Sequence, residues 1–111
     1  MSGVPELTPT EFAKRWPAPL ADAGVVLLDV REPVELEMAA VQTALHIPMR
    51  DVPGRLMEFD RERPIVVMCH TGRRSYRVAQ YLAGNGFSQV FNLTGGIDAW
   101  STEIDPQVPR Y

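Results

Sequence analysis

Apolar positions along this chain fall into two rhythms, short unbroken runs and widely spaced stripes, and the two alternate. Residues 25–30 read VVLLDV and residues 65–68 read IVVM. Aliphatic, β-branched runs of that length suit strands buried on both faces, as in a parallel sheet covered by helices. Residues 44–47 read as a shorter strand stopped by Pro48, and residues 87–93 as a further strand. Between the runs lie helical segments. Ser75, Val78, Ala79 and Leu82 sit at i, i+3, i+4 and i+7, an apolar stripe of helical period. Gly84-Asn85-Gly86 supplies the residues that end helices in left-handed conformation.

The remaining elements are marked by their ends. Thr8-Pro9-Thr10-Glu11 has the form of a capping box, with Thr8 as cap and Pro9 at the first helical position. That helix runs to about Trp16, where Pro17 and Pro19 stop it. Pro33 starts a helix over residues 34–40, and residues 51–59 read as helical with Pro53 in the first turn. Gly95-Gly96 turns the chain into a last helix through Trp100. Residues 105–111, with two prolines, read as an irregular arm. Strands alternating with helices predict an α/β domain whose sheet is mostly parallel. The expected organisation is one domain over residues 1–111.

Composition narrows the function. At 111 residues the chain buries roughly two thirds of its unfolded surface, enough for one core without disulfides or a structural metal. The net charge of −3 predicts neither a nucleic-acid nor an anionic-membrane partner. Residues 1–10 lack a basic start followed by an apolar run, so they do not read as a signal peptide. No segment approaches the roughly 18 apolar residues of a membrane span. The expectation is a soluble cytoplasmic protein in a reducing compartment. The lone cysteine can form no internal disulfide and no usual zinc site, and neither a metal nor a cofactor is expected.

That cysteine is Cys69, and it stands where the second strand ends. In open parallel sheets, ligands bind outside the carboxyl ends of the strands. The segment reads Cys69-His70-Thr71-Gly72-Arg73-Arg74-Ser75 and runs straight into a helix. Thiols react as thiolates, a form favoured by a helix N-terminus and by nearby cations. Arg73 and Arg74 supply two charges, and Gly72 permits a tight path in which backbone N–H groups turn inward to hold an anion or a terminal sulfur. Arginine in a first helical turn opposes the helix dipole, so two of them there call for an anion.

Three stretches resemble motifs of the rhodanese homology family. Residues 27–35, Leu27-Leu28-Asp29-Val30-Arg31-Glu32-Pro33-Val34-Glu35, look like its first motif, and residues 69–75 look like its active-site loop. Asn92-Leu93-Thr94-Gly95-Gly96-Ile97-Asp98-Ala99-Trp100 looks like its closing motif. The resemblance spans nearly the whole chain, in order and in spacing. It implies a five-stranded parallel sheet flanked by helices and a single-domain sulfurtransferase. It implies that Cys69 is the catalytic nucleophile and that residues 70–74 (His70, Thr71, Gly72, Arg73, Arg74) bind the substrate sulfur. It also implies that Asp29, Arg31, Glu35 and Ser75 support the loop. Gly95, Gly96 and Trp100 read as structural.

Loop length separates two chemistries. Cell-cycle dual-specificity phosphatases share this fold with a longer Cys-x5-Arg loop that accommodates phosphate; here the spacing is Cys-x4-Arg and the next position is Ser75. The chain also departs from the family. Where Gly-His-Ile-x-Gly-Ala is common, residues 39–44 read Ala39-Ala40-Val41-Gln42-Thr43-Ala44, so Ala40 and Thr43 replace a His and a Gly. His46 does not fill that place and reads as a structural strand-end residue. The expected reaction moves sulfane sulfur from a donor such as thiosulfate, through a Cys69 persulfide, to a thiophilic acceptor such as cyanide, a small thiol or a protein thiol. The alternatives are a persulfide carrier without turnover, a phosphatase and an arsenate reductase.

Overall fold

A computed structural model describes residues 3–17 and 24–111. Five parallel strands form one sheet: β1 Glu6–Leu7, β2 Val26–Asp29, β3 Leu45–His46, β4 Ile65–Met68 and β5 Val90–Leu93, in the order β1-β5-β4-β2-β3. The described helices are α1 Pro9–Arg15, α2 Pro33–Met38, α3 Arg73–Gly84 and α4 Gly96–Glu103. From β2 the chain moves outward to β3, then returns to lay β4 on the other side of β2 and continues to β5. The strand order therefore reverses between β2 and β4. In α/β sheets, that reversal opens a crevice at the carboxyl ends of the two strands.

The apolar runs form central strands because both faces are covered. Leu27, Val66 and Met68 face Phe12, Trp16, Ile97 and Trp100 on one side. Leu28, Ile65 and Val67 face Val78, Ala79, Leu82 and Phe87 on the other. Successive side chains alternate between layers, as the period of two requires. No helix of the described residues is long and apolar enough to cross a membrane.

The ends of the elements follow their caps. Thr8 Oγ1 accepts from Glu11 N–H (3.1 Å) and Glu11 Oε1 accepts from Thr8 N–H (2.8 Å), the reciprocal capping box. Helix α1 stops at Arg15; Pro19 lies outside the described residues. Three segments differ from the sequence expectation. Residues 51–59 are not α-helical: Met49–Asp51 and Pro53–Glu58 are 3-10 turns with a kink at Arg55. Pro53 has no N–H to give to residue 49, so the chain closes tighter i→i+3 bonds instead. Helix α2 ends at Met38 because Ala39 turns extended and its carbonyl accepts from Arg31 Nη2 (2.9 Å). The fifth strand starts only at Val90, after Ser88 and Gln89 bind residues 61–65.

Candidate active site

Cys69 follows β4 directly and is 1% exposed. Between it and α3 lies the short loop 70–72. Gly72 caps α3 with φ +104°, and its N–H donates to Cys69 Sγ (3.1 Å). A side chain at Gly72 would be strained by that φ and crowd Gly95 N and the Leu93 carbonyl. Glycine is required here by conformation and by space together.

The loop's outward carbonyls are held from behind. Ile97 N–H donates to the Cys69 carbonyl (2.9 Å) and Asp98 N–H to the His70 carbonyl (3.1 Å). These are orphan N–H groups of the first turn of α4, which find partners in the loop. With the carbonyls turned toward α4, the loop can present N–H groups on its other side. Gly96, at φ +58°, permits the approach; a Cβ there would collide with the Cys69 and His70 carbonyls. Gly95-Gly96 thus does more than turn the chain.

The buried side of Sγ meets a polar chain. Ser75 Oγ lies 3.2 Å from Sγ and 2.6 Å from Asn92 Oδ1. Asn92 Nδ2 donates to the Gly72 carbonyl (3.0 Å) and to Glu6 Oε1 (2.9 Å), which fixes the amide's orientation. Asn92 Oδ1 can therefore only accept, so Ser75 gives it its one proton and leaves a lone pair toward a protonated thiol. When Sγ is a thiolate, the hydroxyl can rotate to donate to it. Asn92, 2% exposed, joins this network although its strand position gave no sign of a role.

The charged residues of the first motif pack beside the loop. Arg31 is fully buried and forms a pair with Asp29 (Nη2–Oδ2 2.7 Å). Its other N–H groups reach Asp29 Oδ1, the Ala39 and Glu35 carbonyls and Tyr111 Oη. A buried charge needs this degree of satisfaction. The arrangement ties the end of β2 to α2. His46 Nε2 lies 2.7 Å from the Arg31 carbonyl, which can only accept, so Nε2 is the protonated nitrogen. Its hydrogen bond holds the end of β3, in line with a structural role. Ala40 and Thr43 are exposed.

Glu35 is the hub of the site's edge. Its carboxylate takes both ends of the Arg74 guanidinium (2.6 and 2.8 Å), the Glu32 N–H (3.0 Å) and the Tyr111 hydroxyl (2.8 Å). The Arg74 hydrogen bonds, chiefly, hold the Glu35 carboxyl down to about 2 against the opposing effect of burial. Arg74 is raised in turn, first by Glu35, and also by the nearby charge of Cys69. The anion that Arg74 requires in a helical first turn is thus an internal carboxylate. Arg73 is exposed and has no carboxylate partner among the described residues. It lines an open hollow of about 690 Å³ with Thr71, Gly72 and Arg77. The structure therefore separates the two arginines. Among the described residues no group of three His, Cys, Asp or Glu side chains is placed to hold a metal ion.

A buried thiol thus sits at the switch point of a parallel sheet, under one backbone N–H, beside a hydroxyl and within the field of a paired arginine. Similarity to known proteins bears on the family and the fold. The model of the rhodanese-like domain matches residues 12–103. A sulfurtransferase of Allochromatium vinosum is 41% identical over 83 residues, which are 74% of this chain and 78% of that protein. The thiosulfate sulfurtransferase GlpE of Pseudomonas syringae is 38% identical over 97 residues, 84% of this chain and 91% of its own. The solved structure of a rhodanese-like domain protein from Staphylococcus aureus superposes with a TM-score of 0.79 at 28% identity, covering 97% of this chain and 99% of that one.

Proposed function

Since this chain belongs to the rhodanese-like domain family, we propose that it is a sulfurtransferase that carries sulfane sulfur as a persulfide on Cys69. The observation that carries this reading is the placement of Sγ, 3.1 Å from the Gly72 N–H at the mouth of α3, in a Cys-x4-Arg loop. A second sulfur bound there stands about 2 Å beyond Sγ. Loop N–H groups and the N-terminus of α3 suit the charge it bears. Phosphate would need a wider cradle, which this loop length does not favour.

In the first half-reaction the Cys69 thiolate attacks the outer sulfur of a donor such as thiosulfate. The new S–S bond takes that sulfur, and the old S–S bond breaks with its electron pair on departing sulfite. Arg73, exposed at the loop, suits that dianion better than Arg74, which Glu35 occupies. In the second half a thiophile attacks the terminal sulfur and the Cys69 thiolate leaves. With cyanide the product is thiocyanate; with a small or protein thiol it is a new persulfide. One nucleophile serves both halves, and no general base is needed once the thiol is ionised. His70 and Thr71 line the approach, while Asp29, Arg31 and Ser75 hold the frame. This chemistry needs a reduced Cys69, which suits a compartment such as the cytoplasm.

Steady-state rates with thiosulfate and cyanide varied together test the mechanism. Parallel double-reciprocal lines are expected for double displacement. Intersecting lines would mean that both substrates bind before transfer. Persulfide formation without turnover would make the domain a carrier.

A further inference from the structure

Residues 105–111 lie beyond the segment that matches the family, yet they are not a loose arm. Asp105 starts an Asx turn that accepts from Gln107 N–H (3.0 Å). Val108 is buried against the layer of Trp100 and Phe12, and its carbonyl accepts from Ser101 Oγ (2.6 Å). Arg110 pairs with Asp98 (2.9 Å) in the first turn of α4. These three anchors, spread from Asp105 to Arg110, carry the chain back to the active-site loop.

There the ring of Tyr111 lies flat on His70, the neighbour of Cys69, with centroids 4.0 Å apart and planes 8° apart. Its hydroxyl donates to Glu35 Oε2 (2.8 Å) and accepts from Arg31 Nη1 (2.9 Å). One phenol thus joins the active-site loop to the two charged residues on the β2 side. Glu35 in turn holds Arg74 on the first turn of α3. The phenol thus spans from His70, the neighbour of a thiol that is itself 1% exposed, to the Glu35–Arg74 pair.

We propose that Tyr111 is a specificity-determining residue of the Cys69 site, forming a wall that admits compact sulfur donors and slender thiols and turns away bulky ones. The sulfur-transfer half of this statement rests on the function proposed above. The wall itself does not, because it is a matter of access to Cys69. Both its contacts are needed: the stack sets the ring's plane, and the hydroxyl's two bonds keep it from swinging out.

Size-graded alkylation tests it. Cys69 is the only thiol of the chain, so iodoacetamide and a bulky fluorescein maleimide both report on it alone. Reaction rates are to be measured on wild type, Tyr111→Ala and Tyr111→Phe, each checked for a cooperative melt. In Tyr111→Phe, which keeps the stack but loses the hydroxyl's bonds to Glu35 and Arg31, the maleimide rate should rise about tenfold relative to the iodoacetamide rate, the factor expected for losing a charge-assisted hydrogen bond that holds the wall shut. In Tyr111→Ala, which removes the wall itself, the ratio should rise further; the phenylalanine variant decides the matter if the alanine form does not fold. Equal changes with both reagents, or none, would overturn the proposal. In turnover, the kcat/KM ratio of an aryl thiosulfonate to thiosulfate should rise in parallel. A shifted alkylation ratio with no sulfur transfer in any form would keep the wall and sink the sulfurtransferase reading instead.

Discussion

Replacing Glu35 by Gln tests the electrostatic frame of the site with little change of shape. With its amide oxygen toward the Glu32 N–H, the variant loses the charge that Arg74 binds and turns an NH2 toward Arg74 Nη2 and the Tyr111 hydroxyl, both of which donate to Oε2 in the wild type. Holding the carboxyl at about 2 rather than 4.5 corresponds to about 3 kcal/mol at full strength. The Arg74 side chain is 36% exposed, and solvent screening there brings the expected cost to about 1–2 kcal/mol. Because the folded form binds the carboxylate more tightly than the unfolded chain does, this contribution is complete above about pH 4.5. It is lost as the pH falls toward about 2. Urea denaturation of wild type and Glu35→Gln across pH 7 to 2.5 should therefore show a gap that is constant near neutrality and narrows through the acid range. In the same variant Arg74 loses its internal anion, so KM for thiosulfate should fall by about threefold or more at neutral pH. A stability gap independent of pH, together with an unchanged KM, would refute the idea that Arg74 holds Glu35 ionised and is itself withheld from the substrate anion by that pairing.

Other substitutions probe the remaining parts. Asp29→Asn strands the buried Arg31 guanidinium and should cost about 3–5 kcal/mol in urea denaturation; a loss under 1 kcal/mol would mean that Arg31 is satisfied without it. Gly96→Ala puts a Cβ onto the Cys69 and His70 carbonyls and holds alanine at positive φ. It should lower the melting temperature and cut sulfur transfer about a hundredfold, since small displacements of reacting groups are that costly. Ser75→Ala leaves Asn92 Oδ1 without its donor and should cost about 1–2 kcal/mol, with a shorter-lived persulfide by mass spectrometry. Equal persulfide lifetimes in the two proteins would remove Ser75 from the sulfur's surroundings.

Much of this arrangement was legible before any coordinates. The runs at residues 25–30 and 65–68 became the two central strands because only a doubly covered sheet can bury them. The thiol's place followed from the end of the second run. The Thr8–Glu11 box is local chemistry and formed as written. What escaped the sequence was either too short or too distant to leave a pattern. Strand β1 has two residues and no period; it exists because Asn92 and Thr94 N–H groups take the Pro5 and Leu7 carbonyls. The partner of Arg74 is 39 positions away, and that of Tyr111 76. Asn92 stood at the head of the closing motif with no role assigned; its amide meets Ser75, Gly72 and Glu6 only once the chain is folded. The segment 51–59 had helical composition, but Pro53 and Gly54 removed the bonds and stiffness that an α-helix needs.

Intact-protein mass spectrometry after incubation with thiosulfate, on wild type and Cys69→Ser, tests the central claim most directly. Wild type should gain the mass of one sulfur, lose it to cyanide with release of thiocyanate, and the serine variant should gain none. A wild-type thiol that stays unmodified by thiosulfate and by protein persulfides alike, while still alkylating freely, would contradict the account.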